Sequence, residues 1–203
     1  MLYLLVSPKR VYRNIYYHKQ TKNQWARDDP AFLILQVTGI VVAVAAYSAV
    51  YGVGVPGFTK ALVQLLLINF IAAGLVLATI TWFVANRFLR HQNVHSTDQQ
   101  AEWMYAFDVH CNSFFTLYTL AYVLHFFFLP VLMKTSWISL FLGNTVFALS
   151  GAAYFYTTYL GYHAMPFLQN QEVFLYTIPL IAVAYLTSLF GFNLSHHLID
   201  YYF

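Results

Sequence analysis

The stretch AFLILQVTGIVVAVAAYSAVY, residues Ala31–Tyr51, contains no charged side chain. A helix of about 20 apolar residues is long enough to cross the hydrocarbon core of a bilayer. Since no water is present there to bond the edge of an open sheet, such a segment has to be helical. The stretch therefore predicts a membrane-spanning helix.

Four more uncharged runs follow, and each is long enough for one span. The fourth run is longer than a span, but Gly161 and Pro166 end its helix and leave a short linker. The predicted fold is an all-α polytopic membrane helix bundle with five transmembrane helices. The predicted spans are Ala31–Tyr51, Leu62–Val84, Ser113–Met133, Trp137–Leu160 and Val173–Phe190.

The composition supports a membrane protein and excludes two other classes. Of the 203 residues, 60% are hydrophobic and 8% are charged, against about 25% charged residues in an ordinary soluble domain. So few charges cannot cover a soluble domain, and the hydrophobicity is too high for a disordered chain. A single cysteine, Cys111, excludes a disulfide framework and a cysteine-based zinc site.

The basic residues predict the orientation of the bundle. If the N-terminus is cytoplasmic, only Lys60 and Lys134 of the 10 Lys and Arg residues lie on the far side, as the positive-inside rule requires. We therefore expect residues 1–30 to form a cytoplasmic basic amphipathic segment. Residues 31–203 then form the five-span bundle, with a cytoplasmic loop at 85–112 and a lumenal C-terminus. The opening MLYLLV is too short for a signal-peptide core, so the first span is expected to direct insertion.

The segment before the first span predicts a basic amphipathic helix at the membrane interface. Val11, Tyr12, Ile15 and Tyr16 recur at helical spacing after Pro8, and the basic residues fall on the other side. One interpretation is an ordinary membrane anchor. Another is a docking surface for a cytosolic protein or for an anionic lipid bilayer, and the same chemistry also suits RNA. The candidate residues are Lys9, Arg10, Tyr12, Arg13, Tyr16, Lys19, Lys22 and Trp25.

The sequence STDQQAEW, before the third span, has the pattern of a capping box and predicts a helix that begins near Asp98. Four residues of this helix are spaced so that they share one face. Asp108 lies at the membrane boundary and is expected to pair with Arg87, Arg90 or an N-terminal basic residue. Glu102 and Asp108 join the candidate docking site. The residues of the shared face are Glu102, Tyr105, Asp108 and Asn112.

A second class of function is a transporter or membrane enzyme with a polar core around Asp108, His110 and His125. Against this class, the chain contains no HExxH, GxSxG or phosphate-binding loop. His125 has no second histidine at its depth in the membrane, so neither haem nor another cofactor is expected. Motifs such as Gly39-x-x-x-Ala43 permit close helix contacts, either inside the bundle or with a second copy of the chain.

Four motifs resemble the uncoordinated-protein-50 family of Golgi membrane proteins. They are SPKRVYRNIYYHKQTKNQWARDDPAF from Ser7, EWMYAFDVHCNSF from Glu102, GNT from Gly143 and GYHAMPFL from Gly161. The resemblance covers nearly the whole chain, in the same order. It implies a non-enzymatic five-span Golgi protein that acts in vesicle-mediated transport. It also implies a link to the guanine-nucleotide exchange factors of Arf GTPases, and delivery of nicotinic-type receptors to the cell surface. The family is further associated with the inner nuclear membrane and with RNA binding.

Overall fold

The computed structural model describes residues 1–91 and 99–203, apart from the side chains of Tyr16 and His18. In this part of the chain the regular structure is helical, which confirms the predicted all-α fold. The helix α4 contains two π-helical stretches and α5 contains one, and α7 begins with a 3-10 turn. The helices are α1 (Leu2–Val6), α2 (Pro8–Lys22), α3 (Ala31–Tyr51), α4 (Gly54–Leu89), α5 (Trp103–Leu132), α6 (Trp137–His163), α7 (Gln171–Ser188) and α8 (Leu194–Tyr202).

The five helices α3 to α7 are long and apolar enough to cross a membrane, as predicted. Helix α3 has the predicted bounds, whereas α4 and α5 are longer than predicted. The hydrogen bonds of a helix do not stop at the last apolar side chain, so both helices continue into the segment expected to be a loop. The connection between them is therefore confined to residues 90–102.

Helix α5 does not begin near Asp98, because residues 99–102 are not helical and the helix starts at Trp103. The Ser and Thr of the predicted capping box, Ser96 and Thr97, lie outside the described residues, as does Asp98. Glu102 occupies the position before the helix, but its carboxylate makes no capping hydrogen bond. It bonds instead to the N-terminal segment, as described below.

Helix α5 is the centre of the bundle and packs most extensively against α4 and α6. The contact with α6 is close because Gly161 faces Val109. A Cβ atom added at Gly161 would lie 2.6 Å from a methyl carbon of Val109. The Tyr105 hydroxyl donates a 2.8 Å hydrogen bond to the Gly161 carbonyl at the same place. Small residues thus hold α5 and α6 together inside the chain.

The two connections at the N-terminal end of the bundle pair with each other. Leu89 is the last residue of α4 and Arg90 follows it, while Phe167 to Gln169 follow α6. The amide of Gln169 donates to the Leu89 carbonyl at 2.8 Å, and the amide of His91 donates to the Phe167 carbonyl at 2.9 Å. This short antiparallel bridge joins the two connections at the end of the bundle where the N-terminal segment lies.

Candidate docking site at the N-terminal end of the bundle

The carboxylate of Glu102 holds the main chain of the N-terminal segment. One oxygen accepts from the amide of Trp25 at 3.0 Å, and the other accepts from the amide of Ala26 at 3.1 Å. The ammonium of Lys19 lies 3.9 Å from the same carboxylate. Helix α2 ends at Asn23 in the left-handed conformation (φ 55°), which turns the chain towards Glu102. Both carboxylate oxygens are thus used to fix the segment that follows α2.

Asp108 makes a second attachment, one and a half turns further along α5. Its carboxylate accepts from the amide of Arg27 at 2.7 Å. The guanidinium of Arg27 hydrogen-bonds the side chain of Asn112 and lies 4.2 Å from the centre of the Phe32 ring. Asp108 thus bonds an N-terminal basic residue through the backbone amide of that residue, where the sequence predicted pairing with a basic side chain.

Trp25 is buried within the chain, with 4% of its surface exposed. Its ring meets the edges of Tyr105 and Phe167, with ring centres 5.9 and 6.2 Å apart, and the Lys19 ammonium lies 5.7 Å from its centre. The sequence suggested an aromatic anchor at the membrane interface. The structure instead places Trp25 between the N-terminal segment and the bundle.

Tyr12 is the buried contact of helix α2. Its side chain is 3% exposed, and its hydroxyl accepts a 3.3 Å hydrogen bond from the Asn112 amide. Burial raises the pKa of Tyr12 well above its usual range, although the hydrogen bond from Asn112 opposes the shift. Tyr12 therefore stays neutral and serves as a packing residue. Glu102, Tyr105, Asp108 and Asn112 all contact this segment, so they lie on one face of α5, as their spacing predicted.

The remaining candidate residues lie on the outer side of α2. Lys9, Arg10, Arg13 and Lys22 are exposed. The guanidinium of Arg10 lies 4.8 Å from the centre of the Tyr3 ring, and the Lys22 ammonium is 2.5 Å from an Asp28 oxygen. The side chain of Tyr16 lies outside the described residues. The structure thus separates the nine candidates whose side chains it describes into two groups. One group attaches the N-terminal segment to the bundle: Tyr12, Lys19, Trp25, Glu102 and Asp108. The other is exposed on α2: Lys9, Arg10, Arg13 and Lys22.

The comparisons with known proteins place the chain in a family. Residues 1–203 match the model of the UNC-50 family. The chain belongs to the UNC-50 family. It is 45% identical to "Protein unc-50 homolog" of Dictyostelium discoideum and 41% identical to the human protein of the same name. Both alignments cover the whole chain, with 79% and 78% of the relatives' length. It is also 40% identical to "Protein GMH1 homolog" of Schizosaccharomyces pombe, over 88% of that protein. No solved structure matches the chain.

The two intramembrane histidines of this UNC-50 family member connect helices and do not meet Asp108. In His110, Nε2 donates to the Phe70 carbonyl at 3.0 Å, so Nδ1 is left to accept from the Tyr154 hydroxyl at 2.8 Å. Both ring nitrogens are thus used inside the bundle. His110 is buried, with 3% of its surface exposed. Its two hydrogen bonds connect α5 to α4 and α6, and neither goes to Asp108.

His125 has the opposite arrangement of its ring proton. The Tyr47 hydroxyl donates to the carbonyl of Tyr122, so its oxygen accepts from Nδ1 of His125 at 2.9 Å. Nε2 then accepts from the Ser195 hydroxyl at 3.1 Å. His125 thus joins α5 to α3 and α8, at a different site from His110.

The space beside His125 is too small for a substrate. The cavity there has a volume of about 20 Å³ and is lined mainly by apolar side chains, among them Val44, Leu65 and Phe147. A volume of this size holds about one water molecule. In the described part of the chain, no group of three or more His, Cys, Asp or Glu residues is placed to hold a metal ion.

Helix α8 lies after the fifth predicted span and was not predicted from the sequence. Its N-terminus is capped by Asn193, whose side chain accepts from the amide of His196 at 3.3 Å. The signal was present, because an Asn that follows Gly191 and precedes an apolar pattern is a helix start. Ser195 and Tyr202 of α8 bond to residues in the spans, which draws the helix into the bundle.

Proposed function

We propose that this multi-pass membrane protein is a non-enzymatic adaptor that acts in vesicle-mediated protein transport at the Golgi. In this function it recruits or positions a guanine-nucleotide exchange factor of Arf GTPases, and it supports delivery of receptors such as nicotinic-type channels to the cell surface. The N-terminus faces the cytoplasm and the C-terminus faces the lumen. A part of the population resides in the inner nuclear membrane.

The observation that carries this proposal is the double attachment to α5 of the segment that directly follows α2, together with the contact of Tyr12 in α2 with Asn112. Glu102 and Asp108 together bond three successive amides, those of Trp25, Ala26 and Arg27. A helix held in this way is ordered before a partner binds, so the partner does not have to order it. This is the property of a docking platform.

The outer side of α2 has the chemistry of a protein-binding surface. Arg10 and Tyr17 are exposed and lie two turns apart on this side, where Tyr17 has 57% of its surface accessible. Arg and Tyr are the side chains that most often dominate protein interfaces, since both offer a large contact area and hydrogen bonds. Arg10 and Tyr17 form a basic and aromatic ridge, to which a cytosolic factor with an acidic surface could bind.

The transporter or enzyme alternative has less support. It requires Asp108, His110 and His125 to act on one ligand. In the structure each has separate partners, and the cavity beside His125 holds about one water molecule. His110 lines a groove of about 420 Å³, but neither Asp108 nor His125 lines it. A chain without a joined polar core fits an adaptor better than a catalyst or a transporter.

The experiment compares two double variants of equal charge change in cells that lack the endogenous protein. Arg10→Glu with Tyr17→Ala changes the ridge of α2. Lys60→Glu with Tyr201→Ala makes the same changes at the opposite end of the bundle, where both residues are exposed. Proximity labelling from the N-terminus reports the exchange factor, and surface labelling reports receptor delivery. We expect the exchange-factor signal of the α2 variant to fall about tenfold or more, with its abundance and Golgi location unchanged. The control variant should give the same signal as the wild-type chain.

Equal recruitment by the two variants would refute the adaptor function of this surface. RNA binding, the further function that the family resemblance implies, is read in the same cells by crosslinking RNA to the chain. If the α2 variant loses crosslinked RNA but keeps the exchange factor, the ridge is an RNA-binding surface and the adaptor proposal is wrong.

A further inference from the structure

Two open grooves flank helix α2, and they differ in charge. One groove, of about 450 Å³, contains Arg27, Asp28 and Asp29 and is therefore of mixed charge. The other, of about 420 Å³, lies between α2 and the end of α6, with Lys9 and Arg13 on the α2 side. No carboxylate of the described residues lines this second groove, so its charge is positive.

The two cations of the second groove are not neutralised by any residue that the structure describes. Lys9 and Arg13 are exposed, and neither forms an ion pair with a described residue. They lie four residues apart on α2, so both side chains leave the helix on the same side. Two unpaired cations that converge on one groove favour an anion between them.

The opposite wall of the groove is aromatic and follows α6 into the membrane. His163 is the last residue of α6, and its ring stacks on Tyr159 with centres 5.2 Å apart. Tyr156 and Leu160 continue this wall. From His163 to Tyr156 is seven residues, or about 10 Å along the helix. The groove therefore runs from the polar end of a membrane span towards the level of the acyl chains.

We propose that this groove binds an anionic glycerophospholipid, with its phosphate between Lys9 and Arg13 and its acyl chains along Tyr156 and Leu160. A free anion would use only the two cations and would leave the aromatic wall uncovered. A lipid of the neighbouring leaflet matches both parts of the groove, because its phosphate can contact the two cations while its apolar chains cover the aromatic wall. The site goes beyond the adaptor function, since neither Arg10 nor Tyr17 lines it.

The test distinguishes a built site from general attraction to a charged membrane. The full chain is reconstituted in phosphatidylcholine nanodiscs that contain a small fraction of phosphatidylserine or phosphatidylinositol, and bound lipid is counted by native mass spectrometry after extraction. Lys9→Gln with Arg13→Gln removes the groove cations. Arg10→Gln with Lys22→Gln removes two positive charges from the same helix outside the groove, and it is the matched control.

We expect the wild-type chain and the control to retain one anionic lipid. The groove variant should bind it more weakly, by roughly tenfold or more, because it loses the hydrogen bonds of both charged side chains to the phosphate. Circular dichroism checks that both variants are folded. If both variants lose the lipid equally, the attraction is a property of the whole helix and the groove is not a site. A second arm offers inorganic phosphate and soluble glycerophosphoinositol. If these compete with the lipid at equal concentration, the acyl chains contribute nothing and the lipid assignment is wrong.

Discussion

Replacement of Glu102 by alanine should release the N-terminal segment from the bundle. The substitution removes both acceptors of the Trp25 and Ala26 amides, at 3.0 and 3.1 Å. A hydrogen bond to a charged group contributes about 1.5–3 kcal/mol. Because 35% of the Glu102 side chain is exposed, water replaces part of this, and we take a total of about 2 kcal/mol for the pair. This corresponds to about a thirtyfold increase in the opening constant of the segment.

The opening is measured by amide hydrogen exchange of the purified chain in detergent, followed by mass spectrometry of peptides that contain Trp25 to Arg27. These amides should exchange about thirtyfold faster in Glu102→Ala, since exchange follows the population of the open state. Glu102→Gln keeps one acceptor oxygen and should give about fivefold, half of the free-energy change. Peptides from the middle of α3 and α6 should not change.

The control is Glu172→Ala, which removes an exposed carboxylate at the same end of the bundle. Its exchange at Trp25 and Ala26 should equal that of the wild-type chain. If Glu102→Ala changes the exchange of these amides by less than threefold, the carboxylate does not hold the segment. The account of α2 as an ordered platform would then lose its basis.

Two other predictions concern topology and the histidines. Glycosylation acceptors added after Phe203 should be modified, whereas acceptors inserted between residues 92 and 98 should not, since the basic residues place those two regions on opposite sides; the reverse pattern would contradict the orientation. His125→Phe leaves the buried Ser195 hydroxyl without its partner and should lower the free energy of unfolding in detergent by about 1–3 kcal/mol. Receptor delivery per folded molecule should stay unchanged, and a loss of delivery at full stability would instead indicate a functional histidine.

The membrane-spanning helices could be predicted from the sequence because the bilayer restricts which structures can cross it. Because every backbone group in the hydrocarbon core has to be bonded within its own helix, an uncharged run is a sufficient signal. Helix α3 therefore has the predicted bounds, and α7 differs from the prediction by two residues at each end. No tertiary information was needed for these elements.

The start of α5 and the positions of the aromatic residues were not predictable in this way. The capping pattern before Trp103 is a local signal. Glu102, however, bonds to the amides of Trp25 and Ala26, which lie 77 and 76 residues away in sequence. A local pattern does not predict such a contact. As a tryptophan beside a predicted span, Trp25 was expected at the membrane interface. In the structure it is buried, because it packs against Tyr105 and Phe167. Helix α8 had a local start signal at Asn193, but its position in the bundle depends on His125 and Tyr122 in a distant span.

The distribution of polar groups along α5 argues for a fixed scaffold. From its N-terminal end, Asp108 bonds the main chain before α3, His110 bonds α4 and α6, and His125 bonds α3 and α8. A transporter that alternates between two states needs helices that can exchange such contacts, whereas here one helix is bonded to its neighbours at three successive levels. The partner that we propose for α2 would be connected through Glu102 and Asp108 to the centre of the bundle. The fold would then set the position of that partner relative to the membrane.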